Sequence, residues 1–66
     1  MLLDRFDLVE KGDYMLFEAE NDGYKITIKK NFNTILEKHF SDSVEAVQYY
    51  KKECYRRALC SIAVNA

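Results

Sequence analysis

The chain has no proline and no tryptophan, and its 66 residues include only two glycines, two cysteines and one histidine. Each shortage excludes something. Two isolated glycines cannot form the glycine-rich loop that cradles a phosphate. One histidine and two cysteines do not supply the three or four ligands at motif spacing that zinc demands, and no acidic segment has calcium-ligand spacing. No apolar run approaches the roughly 18–20 residues of a membrane span; the most apolar stretch, residues 58–66, is too short. Met1-Leu2-Leu3 runs at once into Asp4 and Arg5, so a secretory leader with its apolar region of about 7–15 residues is not expected. Two cysteines without secretory features point to a reducing, cytoplasmic setting.

Hydrophobic residues make up 48% of the chain and aromatics 14%, enough for one tight core and too much for a disordered tail. A chain this short buries only about 60% of its unfolded surface. A single core of this size rarely supplies more than roughly 3–5 kcal/mol. One domain, residues 1–66, is therefore expected, without a deep substrate pocket. Proteins of this size often complete their core by docking on a partner or dimerising.

Charge is unevenly spread. Residues 1–24 carry seven acids and two bases, a balance of −5, whereas residues 25–66 carry eight bases and four acids, a balance of +4. The total of −1 hides two halves of opposite sign, an asymmetry that bears on partners rather than on fold. Part of it cancels if an acidic strand pairs beside a basic one.

The hairpin signal is clear. Tyr14 to Glu20 precedes Asn21-Asp22-Gly23, and Tyr24 to Lys30 follows. Asp-Gly between alternating segments predicts a primed turn, because that turn needs positive φ. With Asp22-Gly23 as the loop, Ala19 faces Ile26 and Phe17 faces Ile28 on an apolar side, with opposite charges on the other; moving the loop to Asn21-Asp22 preserves the faces. Upstream, Arg5 to Glu10 alternates with Phe6 and Leu8 on one side, predicting a first strand, and Lys11-Gly12-Asp13 is turn chemistry. Downstream, Asn31-Phe32-Asn33 suggests a second turn. Residues 34–40 suit either a fourth strand with Leu36 inward or a short helix.

A C-terminal helix follows. Asp42 with Glu45 resembles a capping box, and strong helix formers run from Val44 to Leu59. At 100° per residue, Val44, Val47, Tyr50, Cys54, Ala58 and Ile62 form one stripe, with Glu45, Tyr49, Lys52 and Arg56 opposite. Residues 61–64 lack a clear stop and either continue the helix or leave it as an extended tail. The expected fold is α+β: an antiparallel β-meander of three or four strands packed against one C-terminal α-helix.

No residue set names a reaction. His39 has no serine or cysteine partner oriented by a carboxylate in the sequence and reads as a strand-end residue. Cys54 and Cys60 are six residues apart, roughly 9 Å of helical rise, beyond the ~7 Å that a disulfide spans. Cys54 reads as a small buried hydrophobe and Cys60 as a packed or partner-facing thiol. Neither an enzymatic activity nor a cofactor or metal is expected.

Binding is the better reading. Tyr49, Lys52 and Arg56 share the outward helix face with Arg57 nearby, residue types enriched at binding hot spots; the plain alternative is a solvated face with a Glu53–Arg57 pair. Lys51 falls within the apolar stripe. Either its stem snorkels over apolar surface, or the stripe divides, with Val47, Tyr50 and Cys54 toward the sheet and Tyr55, Leu59 and Ile62 toward a second surface. Small sheets with one C-terminal helix recur in short proteins, many of them phage-encoded, that inhibit or redirect a larger host complex, an analogy of fold and size. The leading expectation is a noncatalytic protein-binding module, an inhibitor, adaptor or regulatory subunit, contacting its partner through Tyr49, Lys52, Arg56, Arg57, Leu59 and Ile62. Charge reversal of Arg56 and Arg57 is then expected to abolish binding and spare the fold. A second reading is a nucleic-acid binder using Lys25, Lys29, Lys30, Lys52 and Arg56, against which stands a pI near 5.7. A third is a homodimer whose helices meet through Tyr55, Leu59 and Ile62.

Overall fold

The computed structural model describes the backbone of residues 1–65 and the side chains of residues 1–59. Four strands, β1 (Leu2–Asp7), β2 (Tyr14–Glu20), β3 (Gly23–Lys30) and β4 (Asn33–Phe40), precede one helix, α1 (Ser43–Asn65). The strands lie in the order β1-β2-β3-β4, each antiparallel to the next. This is a four-stranded meander with the helix packed on one face, an α+β architecture. Residues 34–40 are strand, with Leu36 opposite Ile28 on the helix side. Residues 61–65 continue the helix.

Two boundaries differ from those the sequence suggests. The first strand covers Leu2–Asp7 rather than Arg5 to Glu10. The chain closes on itself from Leu8 onward: the Leu8 amide donates to Asp13 O at 2.9 Å and the Asp13 amide to Glu10 O at 3.1 Å. The β2–β3 loop is Asn21-Asp22, since Glu20 pairs with Gly23, and the primed geometry lies elsewhere. Asn31 and Phe32, between β3 and β4, have φ of 53° and 67°, as a primed two-residue hairpin loop requires. Gly23 is needed for closeness instead: a Cβ there would stand 2.2 Å from the Phe40 carbonyl oxygen.

The β1–β2 loop is fastened to the β3–β4 turn at the same end of the sheet. Phe32 N–H donates to Gly12 O at 2.9 Å, and Asn31 N–H donates to the Asp13 carboxylate at 2.9 Å. Gly12 has φ +92°, and the Phe32 ring lies against it.

The core is formed by alternate residues of the two central strands, Met15, Phe17, Ile26 and Ile28, closed by Ala46 and Tyr50 of the helix. Met15, Ile26 and Ile28 are fully buried, each contributing about 1.5–3 kcal/mol by leaving water. Phe6, Leu36 and Phe40 extend the apolar face onto the edge strands.

The opposite face is polar. Acidic β2 lies beside basic β3, and Lys25 stands 3.8 Å from Glu18 and 4.0 Å from Glu20. Much of the charge inversion therefore cancels within one hairpin. The outer strands are both interrupted: Leu3 is an extra residue in β1 and Ile35 in β4, each without a cross-strand partner. Such bulges twist an edge away from added strands.

Candidate binding surface on the helix

The helix starts where its sequence says. The Asp42 carboxylate accepts the Glu45 amide at 3.3 Å and its carbonyl accepts the Ala46 amide at 3.1 Å, so Asp42 is the N-cap. Which face then turns to the sheet is decided by three residues. Ala46 is fully buried and, having almost no side chain, lets the helix approach closely. Tyr50 lies against Phe17 with ring centroids 5.1 Å apart. Glu53 is 7% exposed, its charge met by Arg56 at 2.8 and 3.0 Å and by Arg57 at 3.4 Å.

The buried stripe thus centres on Ala46, Tyr50 and Glu53, flanked by Val47 and Cys54. It shares Val47, Tyr50 and Cys54 with the stripe of Val44, Val47, Tyr50, Cys54, Ala58 and Ile62 that apolar periodicity suggests, and is rotated away from the Val44 side of it. Val44 is a correction: it is 59% exposed. Lys51 is exposed as well. The division into two faces is observed for the described residues, with Val47, Tyr50 and Cys54 against the sheet and Tyr55 and Leu59 away from it, 70% and 48% exposed.

The expected contact set is only partly assembled. Lys52, Arg56 and Leu59 are exposed. Tyr49 is not on the outward face: its ring lies 5.3 Å from that of Phe40, half-buried, with the Lys38 ammonium 4.7 Å from its centroid. Burial raises the Tyr49 hydroxyl pKa. Arg57 is half-buried and held at Glu53, the i, i+4 pair anticipated as the plain alternative. Reversing its charge would set two carboxylates together beneath the helix, so the expectation that reversal at Arg56 and Arg57 spares the fold does not survive. Ile62 and Cys60 lie outside the residues whose side chains are described.

The residues of the nucleic-acid reading do not meet on one surface. Lys25 and Lys29 project from the polar sheet face, Lys25 beside Glu18 and Glu20 and Lys29 bonded to Thr34. Lys30 sits at the end of β3. Lys52 and Arg56 are on the helix, across the sheet.

The single histidine is engaged. His39 Nδ1 lies 3.0 Å from Glu20 and Nε2 3.2 Å from Glu37, and the hydrogen bond with Glu20 leads in raising its pKa. It lines a shallow open cleft with Glu20, Asp22, Gly23, Phe40 and Ser41. Carboxylates on both ring nitrogens orient the imidazole without offering it a nucleophile. Among the described residues, no group of three or more His, Cys, Asp or Glu is placed to hold a metal ion. Cys54 is a free thiol, 3.8 Å from the Met15 sulfur, and burial raises its pKa.

The buried polar groups beneath the helix are unevenly satisfied. Among the described residues, the Tyr50 hydroxyl has no hydrogen-bond partner. Burial, with Asp4 and Cys54 nearby, pushes it far above the ordinary tyrosine range.

Val44, Gln48, Lys51, Lys52, Tyr55 and Leu59 form one stripe pointing away from the sheet, with Glu45 and Arg56 exposed beside it. Three of these are large exposed apolar or aromatic side chains. Among the described residues, no helix is long and apolar enough to cross a membrane.

Fold and surface together define a small meander-plus-helix α+β protein with an apolar, basic helix face. No protein-family model matches the chain, no curated protein is significantly similar to it, and no solved structure is matched significantly.

Proposed function

We propose that this protein is a noncatalytic protein-binding module that acts as an inhibitor, adaptor or regulatory subunit, and that it binds through the outward face of α1. One observation carries the reading. Val44, Tyr55 and Leu59 stand 48–70% exposed along one helical stripe, while smaller or charged residues of the same helix, Ala46 and Glu53, are buried. An apolar stripe turned to solvent lowers stability and solubility in isolation, and such stripes mark interaction sites. Tyr is also among the residues enriched at hot spots.

The test is capture from a lysate of the source organism with immobilised protein, with and without nuclease, comparing wild type with a Tyr55→Glu/Leu59→Glu variant. Proteins retained after nuclease by wild type and lost by the variant support the reading. Retention that is indifferent to the variant, or that disappears with nuclease, overturns it.

A further inference from the structure

We infer that the partner segment is an acidic amphipathic helix, an identification that rests on the protein-binding reading above. The charge of the face is the reason. Lys51 and Lys52 are exposed and form no hydrogen bond or ion pair within the described residues. They sit midway along the stripe, between Val44 and Gln48 on one side and Tyr55 and Leu59 on the other. The acids do not offset them. Glu53 is buried and satisfied by Arg56 and Arg57, which leaves Glu45 at the first turn as the only exposed acid of the helix. The surface thus carries Val44 at one end, Tyr55 and Leu59 at the other, and positive charge at its centre.

The shape suits a helix. The stripe recurs at spacings of three and four residues and spans roughly 22 Å from Val44 to Leu59 at 1.5 Å per residue. A facing helix with apolar residues at i, i+3, i+4 and i+7 buries this ridge, and its flanking carboxylates reach Lys51 and Lys52. Bringing unpaired ammonium groups against carboxylates at a partly dried interface selects the partner and speeds encounter.

A second copy of this chain fits less well. An antiparallel pairing that matches Val44 of one copy with Leu59 of the other puts the two-fold axis between Lys51 and Lys52, where like charges meet. A pairing confined to Tyr55 and beyond leaves Val44 and Gln48 uncovered. Nucleic acid fits less well because two lysines are few for phosphate tracking, and the exposed residues toward both ends of the stripe, Val44, Tyr55 and Leu59, are apolar or aromatic.

The full-length chain is titrated against two labelled synthetic helices of about 16 residues with the same leucine stripe, one flanked by glutamate and the other by lysine. The expected result is at least a tenfold preference for the glutamate peptide at low salt, shrinking between about 50 and 300 mM salt as screening grows. Lys51→Glu/Lys52→Glu should reverse the preference, and Tyr55→Ala/Leu59→Ala should lose both peptides, with circular dichroism confirming that each variant is folded. Equal binding of the two peptides, binding of neither, tighter binding of a single-stranded oligonucleotide, or a homodimer in sedimentation that closes the face would overturn the inference. A lysate partner that depends on Tyr55 and Leu59 but ignores the lysine reversals would leave the protein-binding reading standing and remove only the acidic helix.

Discussion

The Asp13 carboxylate accepts the backbone N–H of Asn31 at 2.9 Å, joining the loop after β1 to the turn after β3 across 18 residues of sequence. The bond satisfies an amide that the turn geometry leaves unpaired, and together with the Phe32 N–H···O=C Gly12 bond it ties the two loops to each other. Asp13→Ala should therefore cost about 1 kcal/mol, read as a lower urea midpoint at unchanged slope. Asp13→Asn, which keeps an acceptor oxygen, should recover part of that loss.

Gly12 and Phe32 are coupled. A Cβ on Gly12 would lie 2.9 Å from the Phe32 ring, and Gly12 holds φ +92°, so Gly12→Ala meets both a steric and a backbone penalty. The expected loss is about 1–2 kcal/mol. In a double-mutant cycle, Phe32→Ala should relieve only the steric part. Full additivity in denaturant unfolding would show that ring contact plays no part.

Glu53 should contribute to acid sensitivity. Its carboxyl is held below the ordinary glutamate range, chiefly by its hydrogen bond to Arg56. A depressed folded-state pKa means that the stabilisation is present above the unfolded glutamate pKa of about 4.3 and is lost as pH falls through the folded value. Glu53→Gln should thus flatten the fall in stability below about pH 4.3 while lowering stability at neutral pH. Thermal melts of both proteins from acid to neutral pH check it; parallel curves would remove Glu53 from the acid response.

His39 should behave in the opposite sense. Its pKa is raised, first by the hydrogen bond to Glu20, so any stabilisation is complete below the unfolded histidine pKa of about 6.5 and is lost as pH rises through the folded value. The imidazole is exposed, and the effect on overall stability should be small. An NMR titration should find the His39 pKa above the ordinary value in wild type and lower in Glu20→Gln. Replacing Glu37 should lower it less.

Much of this architecture is legible in the residues. Alternation in Tyr14–Glu20 and Gly23–Lys30 is a local property of a strand with one buried face, and it identified the central hairpin and its apolar side. Asp42 announced the helix start because capping uses groups only three residues apart. The exposed pair Tyr55 and Leu59 matches one of the two readings that Lys51 leaves open, the divided stripe; the residues alone do not choose it over a snorkelling Lys51.

Tertiary structure alone decided the rest, because it turns on groups distant in sequence. Gly23 suggests a left-handed turn, yet its role is to clear the Phe40 carbonyl, and Asn31-Phe32 takes the primed geometry instead. Apolar periodicity cannot see that Ala46 admits close approach or that Arg56 and Arg57 make Glu53 tolerable in the interior. Those two facts turn the helix, hide Tyr49 against Phe40 and expose Val44. The sequence by itself determined the alternation of the central hairpin, a capped helix and a basic C-terminal half, and left residues 34–40 open between strand and helix. The rotation of that helix on the sheet, and so the residues offered to a partner, was decided by close packing and by the compensation of a buried charge.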